Sequence, residues 1–144
     1  MIANDLQYRI TRKWVERFEE ARAAADARPD LHPRARQALR DQYDSQIEEL
    51  RDQLAEYDAL RGGQVRELEL RSLTELPDAL IRARIAAGLS QKELARRLGV
   101  KEQQIQRYEA TRYAGATLER VQAVADALGV QIHERVVLPT ADRR

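Results

Sequence analysis

The chain contains no cysteine, so neither a disulfide framework nor a cysteine-ligated metal site is open to it. That absence fits a reducing compartment, and the expected location is cytoplasmic. Aromatic residues make up only 5% of 144 residues against 34% charged, so exposed helices and modest cores are expected. No apolar run is long enough for a membrane span or a secretory signal, and no membrane partner is expected. Charge of one sign is lacking too, since the net charge is +1. Its distribution says more: residues 1–71 hold 13 Lys+Arg against 15 Asp+Glu, and residues 72–144 hold the remaining 12 against 9. The basic excess therefore lies in the second half.

Signatures of catalysis are also missing. His32 and His133 have no clustered partner in sequence, and there is no phosphate-cradling glycine loop, nucleophile elbow or HExxH. Of the three serines, Ser72 and Ser90 serve better as helix caps than as nucleophiles. No catalytic residue, metal ligand or cofactor is assigned, and the chain reads as a non-enzyme.

Helical periodicity, by contrast, is plentiful. From Asp5 to Ala27, Leu6, Ile10, Trp14, Phe18, Ala21 and Ala25 recur at steps of three and four, which predicts an amphipathic helix with that face inward. Two prolines in Arg28–Pro33 break it, and Pro33 suits the first position of the next helix. That helix runs to about Leu60, with Tyr43, Ile47, Leu50, Leu54 and Tyr57 forming a heptad seam of coiled-coil type. The six-residue connection predicts an antiparallel hairpin over residues 1–61, and two helices alone bury too little to be secure. The hairpin is therefore expected to serve interaction or dimerisation.

Residues 62–71 read as a linker and short strand: Gly62-Gly63 ends the helix, and Leu68 and Leu70 then alternate with charged residues. Eight residues fit a helix as well. A second candidate strand spans Val130–Leu138, within a C-terminal strand and tail of residues 130–144. Pairing of the two, within a chain or across a dimer, would satisfy otherwise open edges.

Residues 72–129 form the predicted globular domain. Ser72-Leu73-Thr74-Glu75 has the form of a capping box, followed by Pro77 one step late, so either an irregular first turn or a start at Pro77 is expected. A helix with Leu80, Ile81, Ile85 and Leu89 inward ends at Gly88. A last helix is capped by Thr117 and turns Leu118, Val121, Val124, Ala125 and Leu128 inward.

Between these lies the most informative stretch, Gln91–Tyr108, QKELARRLGVKEQQIQRY. Leu94, Ala95 and Leu98 share one face of a short helix, Gly99 stops it, and Val100, Ile105 and Tyr108 turn inward from a second. Ala95 leaves room for a steep, close crossing, and Gly99 supplies the positive φ of the reversal. This is the helix-turn-helix pattern, whose second helix enters a DNA major groove. Left outward on that helix are Lys101, Glu102, Gln103, Gln104, Gln106 and Arg107, a set rich in groups able to bond base edges or phosphates. An ordinary helical hairpin also shows a polar outer face, but not the glycine, the small residue and the amide-rich face together.

The segments SQKELARRLGVKEQQIQRYE and TLERVQAVADALGV resemble the lambda-repressor-like, Xre-type family of helix-turn-helix regulators, over about residues 73–130. The resemblance implies that Gln91 touches the DNA backbone and braces the recognition helix. It further implies that Lys101, Glu102 and Gln103 lie where bases are read, with Arg107 further along. It also implies an ion pair between Arg84 and Glu109. Relatives often carry Asn-Gly after that glutamate, whereas this chain has Ala110-Thr111-Arg112-Tyr113, so the following loop and any phosphate contact of Arg112 should differ.

A looser similarity is to HigA-type antitoxins. The expected fold is thus mainly α, a helical hairpin followed by a helix-turn-helix domain with one or two short flanking strands. Implied partners are double-stranded DNA with a pseudo-palindromic operator, a second copy in a homodimer and, on the antitoxin reading, a protein toxin. A protein-interaction role with secondary DNA binding is the remaining alternative.

Overall fold

The computed structural model describes residues 1–141 and contains six α-helices. Helices α1 (Asp5–Asp26) and α2 (Pro33–Arg61) form the antiparallel hairpin. Asn4 caps α1 by accepting from the Gln7 amide, and Pro33 opens α2, where its missing N–H costs nothing. After a 3-10 turn at Leu73–Glu75 come α3 (Leu76–Ala86), α4 (Gln91–Leu98), α5 (Glu102–Ala110) and α6 (Leu118–Leu128). The irregular start of α3 arises because Ser72 caps the Thr74 amide, while the Glu75 carboxylate reaches back to the Arg71 amide.

One hydrophobic cluster runs through all of this. Leu80, Ile85, Leu94, Ile105 and Val124 are its fully enclosed centre, and Ile2, Tyr57 and Leu60 join it from the hairpin. The base of the hairpin is therefore bound into the helix-turn-helix core. Polar links tie the two helices together at that base, Tyr57 donating to Asp5 at 2.7 Å and Tyr8 to Asp58 at 3.1 Å, and across the junction Arg82 of α3 pairs with Glu56 of α2.

Several expectations need correction. The expected apolar face of α1 meets α2 only in its second half, where Phe18 and Ala21 are half-buried and Ala25 is buried. Val15 and Ala25 are buried, with Tyr8, Thr11 and Phe18 half-buried, whereas Leu6, Ile10 and Trp14 are exposed. The stripe was legible as helical, but spacing alone does not choose between two neighbouring faces. Leu118, expected inward, stands in the first turn of α6 beyond the core and is exposed. Neither flanking strand forms among the described residues. Val65 and Val130 rest against the core, but Leu68, Leu70, Ile132, Val136, Val137 and Leu138 are exposed in chain without regular secondary structure. Alternation can mark one side of a strand, yet a strand exists only where another edge accepts its hydrogen bonds. Residues 142–144 of the expected tail lie outside the described residues.

Candidate nucleic-acid interface

Helices α4 and α5 are set by strong local signals. Ser90 and Glu93 form a reciprocal capping box: the Ser90 hydroxyl accepts from the Glu93 amide at 3.1 Å, and the Glu93 carboxylate from the Ser90 amide at 2.8 Å. Gly99 ends α4 at φ +69°, which a β-carbon would strain, and the Val100 amide returns to the Ala95 carbonyl. The chain then enters α5 at Glu102, and Ile105 plugs completely into the core. That plug fixes which residues of α5 face outward.

Lys101, Glu102, Gln103, Gln104, Gln106 and Arg107 are all exposed. Their side chains are not equally free. Gln104 donates to the Tyr108 hydroxyl at 2.9 Å, and Gln106 approaches the Glu102 carboxylate at 3.5 Å. These bonds hold amides along the helix, where their remaining donors and acceptors point outward. Exposed Gln103 and Lys101 at the leading end, and Arg107 one turn on, can extend toward a groove.

Gln91, by contrast, is buried at the start of α4, where its amide donates to Glu109 at 3.1 Å. Glu109 in turn receives both arms of Arg84. Gln91 is thus fastened to the far end of α5, which sets the spacing between the two motif helices.

Arg112 lies past the end of α5 and pairs with Asp78 of α3. It and Tyr113 adopt left-handed backbone, φ +52° and +57°, at the place where asparagine and glycine would do so cheaply. The strain is offset by Tyr113, which is buried, stacks on Tyr108 at 5.4 Å and donates its amide to the Tyr108 carbonyl. Burial, with Glu109 nearby, pushes the Tyr113 hydroxyl well above its ordinary pKa, so it remains neutral.

This loop shapes a shallow hollow whose rim includes Arg107, Thr111, Gly115, Thr117 and Arg120. Arg120, in the first turn of α6, had no sequence signal of its own; only folding brings it beside Arg107. Arg97, also basic and near the motif, donates instead to the Ala127 carbonyl at the end of α6 and so helps cap that helix. Among the described residues there is no group of three or more His, Asp or Glu side chains placed to hold a metal, and no helix long and apolar enough to cross a membrane.

These two crossed helices, the αL glycine between them and the buried brace behind them define a helix-turn-helix DNA-binding domain. The helix-turn-helix family model matches residues 80–134, and this part of the chain is a domain of the lambda-repressor-like, Xre-type family. Comparison with curated proteins and with solved structures finds no match.

Proposed function

We propose that this chain is a sequence-specific transcription regulator that acts as a repressor and lays α5 in the major groove of its operator. The observation that carries the reading is the outward face of α5, polar from Lys101 to Arg107, beside a rigid buried brace. In this reading Gln103 and Arg107 read base edges, with Lys101, Glu102, Gln104 and Gln106 completing the surface. Arg96, Arg112 and Arg120 contact phosphates, which fix register without reading sequence. A single recognition helix spans only a few base pairs, so the chain binds as a homodimer, with half-sites about 34 Å apart on a pseudo-palindrome. A gel-shift with the DNA upstream of its own reading frame tests this. Specific retardation that survives excess random DNA is expected, and equal competition by random DNA would refute it.

The antitoxin reading has its own support in the segment without regular secondary structure after Val130. Val136, Val137 and Leu138 are all about 80% exposed there, an apolar run suited to cover by another protein. On this reading the chain neutralises a toxin and represses the operon encoding both. Co-purification with the product of an adjacent reading frame, lost on truncation after Gly129, is the expected result.

A further inference from the structure

The first residues of the chain reach the motif from behind. Ile2 is 4% exposed within the core cluster, and both backbone polar groups of Ala3 are engaged. The Ala3 amide donates to the Gln7 side chain at 2.8 Å, and the Ala3 carbonyl accepts from Nη2 of Arg84. The Asn4 side chain accepts from the Gln7 amide at 2.8 Å, which closes a local lock at the start of α1. The same Nη2 donates to Oε1 of Glu109 at 2.7 Å, and that one oxygen also accepts from the Gln91 amide at 3.1 Å. A continuous line of hydrogen bonds thus runs from the start of α1, through Arg84 of α3 and the end of α5, to the start of α4.

We propose that Ala3, seated by Ile2 and Gln7, is a positioning element for the recognition helix, which makes the base of the hairpin part of the DNA-reading device rather than an appendage to it. The donors of Arg84 show why. Nε–H and one Nη2–H go to Glu109, Nη1 serves the Leu89 carbonyl, and the remaining Nη2–H goes to Ala3. Arg84 is 2% exposed, so an Nη2–H released there must draw in water or stay unsatisfied in the interior. Solvent has a path to this point, because an open recess of about 420 Å³ is shared by Ala3, Asn4 and Gln7 with Gln91, Gln106 and Glu109. Water arriving beside Oε1 competes for the longest bond of the line, the one from Gln91. The bidentate pair persists, but the start of α4 loosens from the end of α5. Phosphate contacts that fix register and base contacts that read sequence then fall out of step. Such a constellation tolerates only about 0.5 Å of displacement.

The DNA readout of this proposal rests on the regulator reading, so the test has one arm with DNA and one without. Two variants of the full chain unseat Ala3 by different routes. Gln7→Ala removes an exposed acceptor outside the core, and Ile2→Asp removes the buried anchor; Ile2→Val keeps that anchor as a control. Without DNA, hydrogen exchange of the Gln91 side-chain amide, followed by NMR, should be about tenfold faster in Gln7→Ala and Ile2→Asp, the equivalent of one net hydrogen bond. The backbone amides of Ile105 and Val124 should exchange as in wild type. Where Ile2→Asp accelerates those as well, it has lost its fold, and Gln7→Ala carries the test.

With DNA, the ratio of operator to random-DNA affinity should fall severalfold in both variants and hold in Ile2→Val. An unfolded fraction lowers the two affinities alike, so the ratio reads positioning and not stability. Unchanged Gln91 exchange in Gln7→Ala overturns the proposal. So does an equal loss on both DNAs, which would make Gln7 a mere contact to the DNA backbone. A wild type without any operator preference refutes the regulator reading instead, and the exchange of Gln91 still decides whether Ala3 holds the brace.

Discussion

Arg84 and Glu109 meet as a two-pronged ion pair, Nε to Oε2 and Nη2 to Oε1 both at 2.7 Å, with each side chain 3% exposed. The same guanidinium donates to the Leu89 carbonyl at 2.8 Å and to the Ala3 carbonyl. One side chain thereby joins α3, the turn before α4, the end of α5 and the N-terminal segment ahead of α1. The carboxylate lies near the negative end of the α5 dipole, so the cation held against it matters more there than elsewhere. Only the planar fork of arginine meets all three acceptors at once.

Arg84→Met should therefore destabilise the fold by about 3–5 kcal/mol, because Glu109 would remain buried with only the Gln91 amide to compensate it. Replacing both partners with apolar residues should recover a large part of that loss. Urea unfolding of the two variants measures it, and an unchanged midpoint in Arg84→Met would contradict the account.

Gln103→Ala and Arg107→Ala should weaken operator binding more than random-DNA binding, each by roughly 1–3 kcal/mol of discrimination. Neither side chain supports the fold, since both stand outside the plug formed by Ile105. Titrations on both DNAs decide the matter. Equal losses on the two would remove these residues from base reading.

Arg96→Ala should act differently. An exposed cation at the end of α4 that neutralises one phosphate lowers affinity for all sequences and reduces the log–log salt slope by about 0.9. A salt slope equal to that of wild type would exclude the contact.

Acid should loosen the pairing of α1 with α2 at the base of the hairpin through Asp5. The Tyr57 hydroxyl bonded to it, and then Arg61, hold its carboxyl below the ordinary 3.8. A depressed folded pKa means the contribution is fully present above 3.8 and is lost as pH falls through the lower folded value. Asp5 is mostly exposed, so the effect is below about 1 kcal/mol. Chemical unfolding of wild type and Asp5→Asn should differ at pH 6 and converge near pH 2; a gap independent of pH would show that titration of Asp5 plays no part.

Local chemistry explains how much could be read directly from the residues. Helix ends at Pro33, Ser90, Gly99, Thr117 and Gly129 follow from caps and from backbone that only certain residues adopt cheaply, so they need no knowledge of the rest of the fold. The helix-turn-helix was legible for the same reason, its small residue, its glycine and its core positions lying within eighteen residues. The hairpin was legible as two periodic helices with a short connection.

What the sequence could not decide were relations between segments far apart along the chain. Whether Leu6, Ile10 and Trp14 or Tyr8, Thr11 and Val15 faced α2 depended on how the two helices rotate against each other, and both faces carry apolar residues at helical spacing. Whether residues 64–71 and 130–138 became strands depended on a partner edge, which alternation does not supply. Arg120 joined Arg107, and Ala3 joined Arg84, only because folding brought distant backbone together. Caps and turns are decided by neighbours in sequence; helix rotation, strand pairing and the shared acceptors of a buried arginine are decided by neighbours in space.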